Sequence, residues 1–303
     1  MLDGKGMWIW QIKNCEGGDL GAIVAKAQAA HLSHVIIKVA DGTGYGPSTE
    51  PAKYPKLVRR LQDVGIQAWV WQYVYANHPT AEAEWGARLA NKVGADGFVI
   101  DAEVEYKGKY SRADTYATVL RSHLDDDIPI ALSSYYLPSY HPTIPWKQFL
   151  AVCDLNMPQI YWCSHSPVWA VQKSIVENRK FGVPVFPTIG GHTRIWHRAN
   201  TQKLAIAEIA KFGLLGFNVW SWQHMGKARW NYLMSIDDFD DNGIRVVNLP
   251  GSDVIECNCR IENGTARVDL RSLLEGLGYD VISDHLADQN KIYVRKQNSD
   301  ELI

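Results

Sequence analysis

Cysteine is scarce in this chain: five in 303 residues, at Cys15, Cys153, Cys163, Cys257 and Cys259. That is too few and too scattered for a disulfide framework. Cys257 and Cys259 would share a strand face, but no second pair accompanies them, as a zinc site needs. Neither HxH nor HExxH occurs among the ten histidines, so no metal is implied. Long apolar runs are missing as well. None approaches the roughly 20 residues of a membrane helix. Excess positive charge is missing: the net charge is −2, and no basic stripe offers phosphate contacts, which argues against nucleic acid. The opening residues MLDGKGMWIW lack the basic start and apolar stretch of a secretory signal. Neither GxGxxG nor GxxxxGK follows the first strand-like segment, so no nucleotide cofactor is expected.

What remains is a core-forming composition. Hydrophobic residues make up 46% and charged residues 21%, which excludes disorder as the main state. The length suits one large domain, or one with a small companion. Tryptophan is plentiful at 12, with 14 tyrosines. Such rings fill cores, and they also stack on the apolar faces of sugars.

The first 240 residues alternate two patterns. Apolar, β-branched or aromatic runs predict strands over 7–12, 34–41, 67–75, 97–104, 129–136, 156–163, 184–190 and 215–222. Helical periodicity predicts helices over 20–32, 54–64, 80–93, 111–124, 145–153, 166–181, 201–212 and about 227–236. Gly65, Gly94, Gly182 and Gly213 stand where helices end before strands, a C-cap signal. Ser111 with Asp114, and Asn200 or Thr201, read as helix N-caps. Eight strands alternating with eight helices predict an α/β fold of the (β/α)8 TIM-barrel type over residues 1–240. A doubly wound open sheet shows the same alternation, but would usually carry the phosphate fingerprint that is missing here.

Residues 241–252 read as a linker, rich in Asp, Asn, Gly and Pro. The DDFDDNG segment lacks the glutamate a calcium loop needs. Residues 253–303 read as a small α+β domain: strand, turn at Asn263-Gly264, short strand, helix over 269–277, strand, turn and strand. About 45 residues is small for an independent core, so this unit is expected to pack on the barrel or a partner.

In a (β/α)8 barrel the chemistry lies at the C-terminal ends of the strands. Strand 4 ends in Asp101-Ala102-Glu103. Alternation puts both carboxylates on one face, with Val99 below them. Two carboxylates so placed repel each other and sit near apolar walls, which raises one pKa, as a general acid needs. An ion pair with Lys38, at the end of strand 2, is the structural alternative. Glu105 shares the face and ranks third for the acid. Other candidates to line the mouth are Trp8, Gln72, Tyr73, Tyr135, Gln159, Tyr161, Trp220 and Trp222. For each aromatic, core packing is the competing reading. His192, His197 and His224 also fall at the predicted mouth, and read better as surface or supporting residues than as metal ligands.

The stretch Asp96-Gly97-Phe98-Val99-Ile100-Asp101-Ala102-Glu103 resembles the strand 4 signature DGxDxDxE of family 18 glycoside hydrolases, the chitinase-like barrels. The short DxE also resembles family 25 lysozymes, which cleave peptidoglycan. The resemblance implies that Glu103 protonates the glycosidic oxygen. It implies that Asp101 orients the substrate's N-acetyl group, which attacks the anomeric carbon. Met157-Pro158-Gln159-Ile160-Tyr161 is similar to the strand 6 of chitinase-like barrels, where the tyrosine contacts the N-acetyl carbonyl. The resemblance further gives Trp220 or Trp222 the floor of a sugar subsite. Departures are Val99 for the middle Asp, Ala102 for an aromatic, and a strand 1 without the family 25 Asp. The end of strand 6 offers no second carboxylate, which favours the substrate-assisted route over a classical pair. Residues 261–296 loosely resemble a copper amine oxidase N-terminal-like stalk domain of bacterial wall proteins. That implies wall attachment or self-association, without copper chemistry.

The expectation is therefore a glycosidase acting on an N-acetylhexosamine polymer, foremost peptidoglycan, at the cell wall or outside the cell. An endolysin released by a separate pore would need no signal of its own. A glycan-binding barrel without turnover, and a phage or wall assembly protein, are the alternatives.

Overall fold

The computed structural model describes residues 2–45, 50–191 and 199–236, and five strands beyond them; of residues 199, 200 and those strands it describes the backbone. By compactness the chain divides into Met1–Glu208 with Leu215–Phe239, and Ile209–Leu214 with Asp240–Ile303.

Eight parallel strands close into a barrel in sequence order. They are β1 (Gly4–Ile9), β2 (Leu32–Asp41), β3 (Gln67–Val74), β4 (Gly97–Ala102), β5 (Ile130–Tyr135), β6 (Leu155–Ile160), β7 (Thr188–Gly190) and β8 (Gly216–Trp220). The helices between and after them are α1 (Leu20–Ala29), α2 (Tyr54–Gln62), α3 (Pro79–Val93), α4 (Tyr110–His123), α5 (Trp146–Leu150), α6 (Pro167–Asn178), α7 (Ala199–Lys211) and α8 (Lys227–Met234). This is the TIM-barrel architecture that the alternation predicts.

The first strand differs from expectation, since it starts at Gly4 and ends at Ile9. Gly-Lys-Gly reads as a loop in sequence. In the fold these residues form the seam, where Gly4 pairs with Gly216 and Lys5 with Phe217. Lys5 is buried, and its ammonium donates to the carbonyls of Leu233, in the last turn of α8, and Ile236, just past it. A cation there complements the helix dipole.

Inside the barrel, Trp8, Ile36, Trp69, Trp71, Val99, Ala131, Leu155, Met157 and Phe186 form one core. Three indoles need small neighbours to reach interior packing density. Ala131 is one. Gly97 is another: a Cβ there would lie 2.2 Å from the Trp69 ring. Asp96, which opens the strand 4 motif, accepts hydrogen bonds from Ala68 N–H at 2.7 Å and Gln62 Nε2 at 3.0 Å. It fixes the lower end of β4 and takes no part at the mouth.

The four C-cap glycines all carry the left-handed φ that favours glycine: Gly65 (78°), Gly94 (68°), Gly182 (74°) and Gly213 (59°). The N-cap expectations fail. Helix α4 is preceded by Lys109 with no side-chain cap, and Ser111 lies inside it. Helix α7 begins at Ala199, which puts Asn200 and Thr201 inside it. Side-chain caps come instead from Asp19 on Ala22 N–H (2.9 Å) and Ser166 on Trp169 N–H (3.5 Å).

A buried polar group sits among the interior side chains. His34 Nε2 and Asn218 Oδ1 are 2.6 Å apart, and Asn218 Nδ2 reaches Thr188 Oγ1 at 3.4 Å. Burial pulls the His34 pKa from its ordinary 6.5 to about 4, against the Asn218 hydrogen bond. The unfolded chain therefore binds this proton first. The contribution of neutral His34 is complete above pH 6.5 and lost as pH falls toward 4, a swing of roughly 3 kcal/mol. Urea unfolding at pH 7 and pH 4.5 should show it. The His34→Gln variant, which cannot titrate, should lose less stability over that interval than wild type.

In the second unit, β9 (Ile244–Val247), β10 (Ile255–Glu262) and β11 (Thr265–Val268) form an antiparallel sheet in the order β11-β10-β9. Strands β12 (Tyr279–Val281) and β13 (Val294–Lys296) pair antiparallel. The stretch read as a linker thus contains a strand: Ile244, Val246 and Val247 supply β-branched residues that outweigh the flanking turn formers. The turn at 263–264 and the helix expected over 269–277 lie outside the described residues.

Candidate functional site

The mouth is built from the upper ends of six strands. Register sets its lowest tier: Tyr73 on β3, Asp101 on β4 and Ser133 on β5 are level, with Met157 of β6 beside Ser133. One step up, Tyr135 is level with Gln159. Alternation does the rest, since Gly97, Val99 and Asp101 point to one side.

Asp101 is 5% exposed and Glu103 is half-buried. A single side chain joins them. The Nε2 of Gln159 lies 2.9 Å from Asp101 Oδ1, 3.1 Å from Glu103 Oε1 and 3.1 Å from Ser133 Oγ. Burial, then the charge of Glu103, pushes the Asp101 pKa well up, opposed by Lys38 and the Gln159 hydrogen bond. Burial also raises that of Glu103, opposed by Gln159 and reinforced by the Glu105 charge. The arrangement is that of a carboxyl able to hold a proton at a pH where an exposed one could not.

Lys38 does not ion-pair with the strand 4 carboxylates. Its ammonium binds Asp41 Oδ2 at 2.9 Å and lies 4.6 Å over the Trp71 ring. Tyr73 donates to Glu105 Oε2 at 2.7 Å, so Glu105 is already engaged. Tyr161 follows β6, where its N–H turns back to Gln159 O at 2.9 Å. Its hydroxyl pKa is pushed well up by burial and by the Asp101 and Glu103 charges. Tyr135 stacks on His141 at 3.7 Å between ring centres, with Lys107 over it at 5.4 Å.

The floor is aromatic. Trp8 is buried beneath, edge-on to Trp71 at 5.4 Å and to Trp220 at 5.6 Å. Trp220 is half-buried and ends β8, and its peptide bond to Ser221 is cis. Of this group Trp220 is the one left partly exposed, and Trp8 packs against it.

Two expected site residues lie elsewhere. Gln72 is fully buried on the outer face of β3. It donates to Gly42 O and Glu82 O, both at 2.8 Å, and accepts from Tyr116 OH at 2.7 Å. Its parity is opposite to that of Trp71 and Tyr73, so it faces the helices. Trp222 is 2% exposed, donates to Glu16 at 3.1 Å and packs on Trp230 at 4.9 Å. Strand β8 ends at Trp220 and a 3-10 turn begins at Trp222, so strand alternation does not carry to Trp222. His192 and His197 lie outside the described residues. His224 is exposed beside Trp10, their rings 6.2 Å apart.

Ser133 reaches the centre of the site by register with Asp101. Trp10, just past β1, is half-buried against the core. Two steps beyond Trp8, it was open to the same alternation argument that found Asp101.

No protein-family model and no curated protein matches this chain. Solved structures do. A chitinase from Bacteroides thetaiotaomicron aligns with a TM-score of 0.61 at 10% identity, over 78% of this chain and 95% of that one. A chitinase from Chromobacterium violaceum aligns with a TM-score of 0.58 at 11% identity, over 77% and 98%. The Bacillus cereus spore cortex-lytic enzyme SleL aligns with a TM-score of 0.59 at 9% identity, over 78% and 74%. At such identities the likeness is one of fold alone, that of a (β/α)8 barrel.

Proposed function

We propose that the barrel is a glycoside hydrolase acting on an N-acetylhexosamine polymer, with Glu103 as its general acid. The observation that carries this reading is the half-buried Glu103 at the mouth, tied through Gln159 to the buried Asp101. In the step proposed, Glu103 gives its proton to the glycosidic oxygen as the C–O bond breaks. The N-acetyl oxygen of the same sugar bonds to the anomeric carbon, while Asp101 takes up the positive charge that develops on the amide nitrogen. Tyr161 holds the acetamido group and Trp220 carries the ring. Water, deprotonated by Glu103, then opens the cyclic intermediate and restores the acid. Solved chitinases with this fold support the substrate class. The fold of a spore cortex-lytic enzyme supports a bacterial wall glycan, peptidoglycan, as the polymer, with action at the cell wall or outside the cell. The C-terminal unit would then bind wall or self-associate.

A glycan-binding barrel without turnover is the second reading. It is favoured by Val99, which puts an apolar group under Asp101 in place of a third carboxylate. Release of reducing ends separates the two. Wild-type protein should release them from peptidoglycan or chitin oligosaccharides, and the reactive polymer identifies the substrate. Binding to either without release would select the second reading, and neither binding nor release would reject both.

A further inference from the structure

The amide of Gln159 has two hydrogens, yet three acceptors surround its nitrogen: Asp101 Oδ1, Glu103 Oε1 and Ser133 Oγ. With both carboxylates ionised, one of the three contacts is always short of a hydrogen. A proton on one carboxyl relieves this, because the protonated oxygen no longer needs a hydrogen from the amide. The pair therefore fits its clamp best with one proton between them. Lys38 acts on the pair as well. Its ammonium is buried at the end of β2 beside Trp71, and its field favours the charged form of Asp101. Asp41, level with Tyr73 at the rim, holds that ammonium. Glu105, bound by Tyr73, adds a charge that favours the protonated form of both carboxyls, and Tyr75, Tyr135 and Tyr161 are held in the neutral phenol form.

We propose that Gln159 is a positioning residue: its side-chain amide fixes the spacing of Asp101 and Glu103 and holds the pair in its singly protonated form. This rests on Glu103 being the acid of the hydrolysis proposed above. It adds that Gln159, first read as a substrate contact, acts on the carboxyls before any sugar arrives.

The test needs no substrate. Protein labelled with carbon-13 at its Asp and Glu carboxyls is titrated by NMR, the two signals being assigned with Asp101→Asn and Glu103→Gln. In Gln159→Met, which keeps length and loses the donor, both midpoints should rise by about one pH unit or more. In Gln159→Lys, which adds a cationic donor, both should fall. Midpoints unchanged in both variants would overturn the proposal, whatever the activity. If the wild type hydrolyses glycan, the alkaline limb of its pH–rate profile should move up in Gln159→Met. A lower rate with an unmoved limb would mean a packing role only, and would also overturn it. A barrel that turns nothing over would leave the titration result standing and defeat the hydrolase reading alone.

Discussion

Glu103→Gln is expected to lower kcat by roughly 10²–10⁴-fold while leaving KM within a few-fold, the range a positioned general acid contributes. Glutamine has the shape of glutamate, and its amide oxygen can still accept the Gln159 hydrogen bond that Glu103 Oε1 accepts at 3.1 Å. Little else at the mouth should move. What is lost is the proton. The loss should also change the pH profile. Burial and the Glu105 charge raise the Glu103 pKa, so wild-type activity should persist above the pH at which an exposed glutamate ionises, then fall as Glu103 deprotonates. The residual rate of the variant should lack that alkaline limb. Initial rates of reducing-end release from pH 4 to 9 measure both effects. A variant as active as wild type would remove Glu103 from the acid role and leave Glu105, which would first have to break its bond to Tyr73.

Gly216→Ala is expected to cost about 3 kcal/mol or more, enough to lower Tm by roughly 6–12 °C or to prevent folding. The barrel closes where β1 meets β8, and Gly216 is level with Gly4 there. A Cβ at Gly216 would lie 1.9 Å from the Gly4 carbonyl oxygen. That neighbour is backbone and cannot rotate away, so the two strands must part at the seam. Gly65→Ala is the contrasting control. A Cβ there meets nothing within 4 Å, and the change is opposed only by a φ of +78°, worth about 1–2 kcal/mol. Calorimetry on the two variants should rank Gly216 well above Gly65. Equal losses would mean that the seam is looser than the strand register implies.

The eight-fold alternation was legible because most of the buried strands contain an apolar run and four of the helices are followed by a glycine with positive φ. The carboxylate pair was legible for a related reason: its spacing matches the period of a strand, and Val99 shows which face is inside. Where parity was not applied, the reading failed. Gln72 lies between Trp71 and Tyr73, and so faces outward. Trp222 lies beyond a turn that no residue type announced. Hydrogen bonds between strands were not legible at all. That Gln159 would bridge two carboxylates, and that Tyr73 would engage Glu105, depends on the stagger of β3, β4 and β6, which no single strand encodes. The seam was obscured because Gly-Lys-Gly suits both a loop and a close strand contact, and only the closure with β8 decides between them.

Asp101 lies on β4 and Glu103 directly follows its last residue, so the two are joined by one intervening residue and covalent geometry limits their Cα separation to about 7 Å. In a pair drawn from two strands, a shift in packing anywhere between them changes the distance. Here the spacing is inherited with the peptide backbone. Neighbouring side chains, Val99 and Ala102 among them, can then be exchanged without pulling the two groups apart.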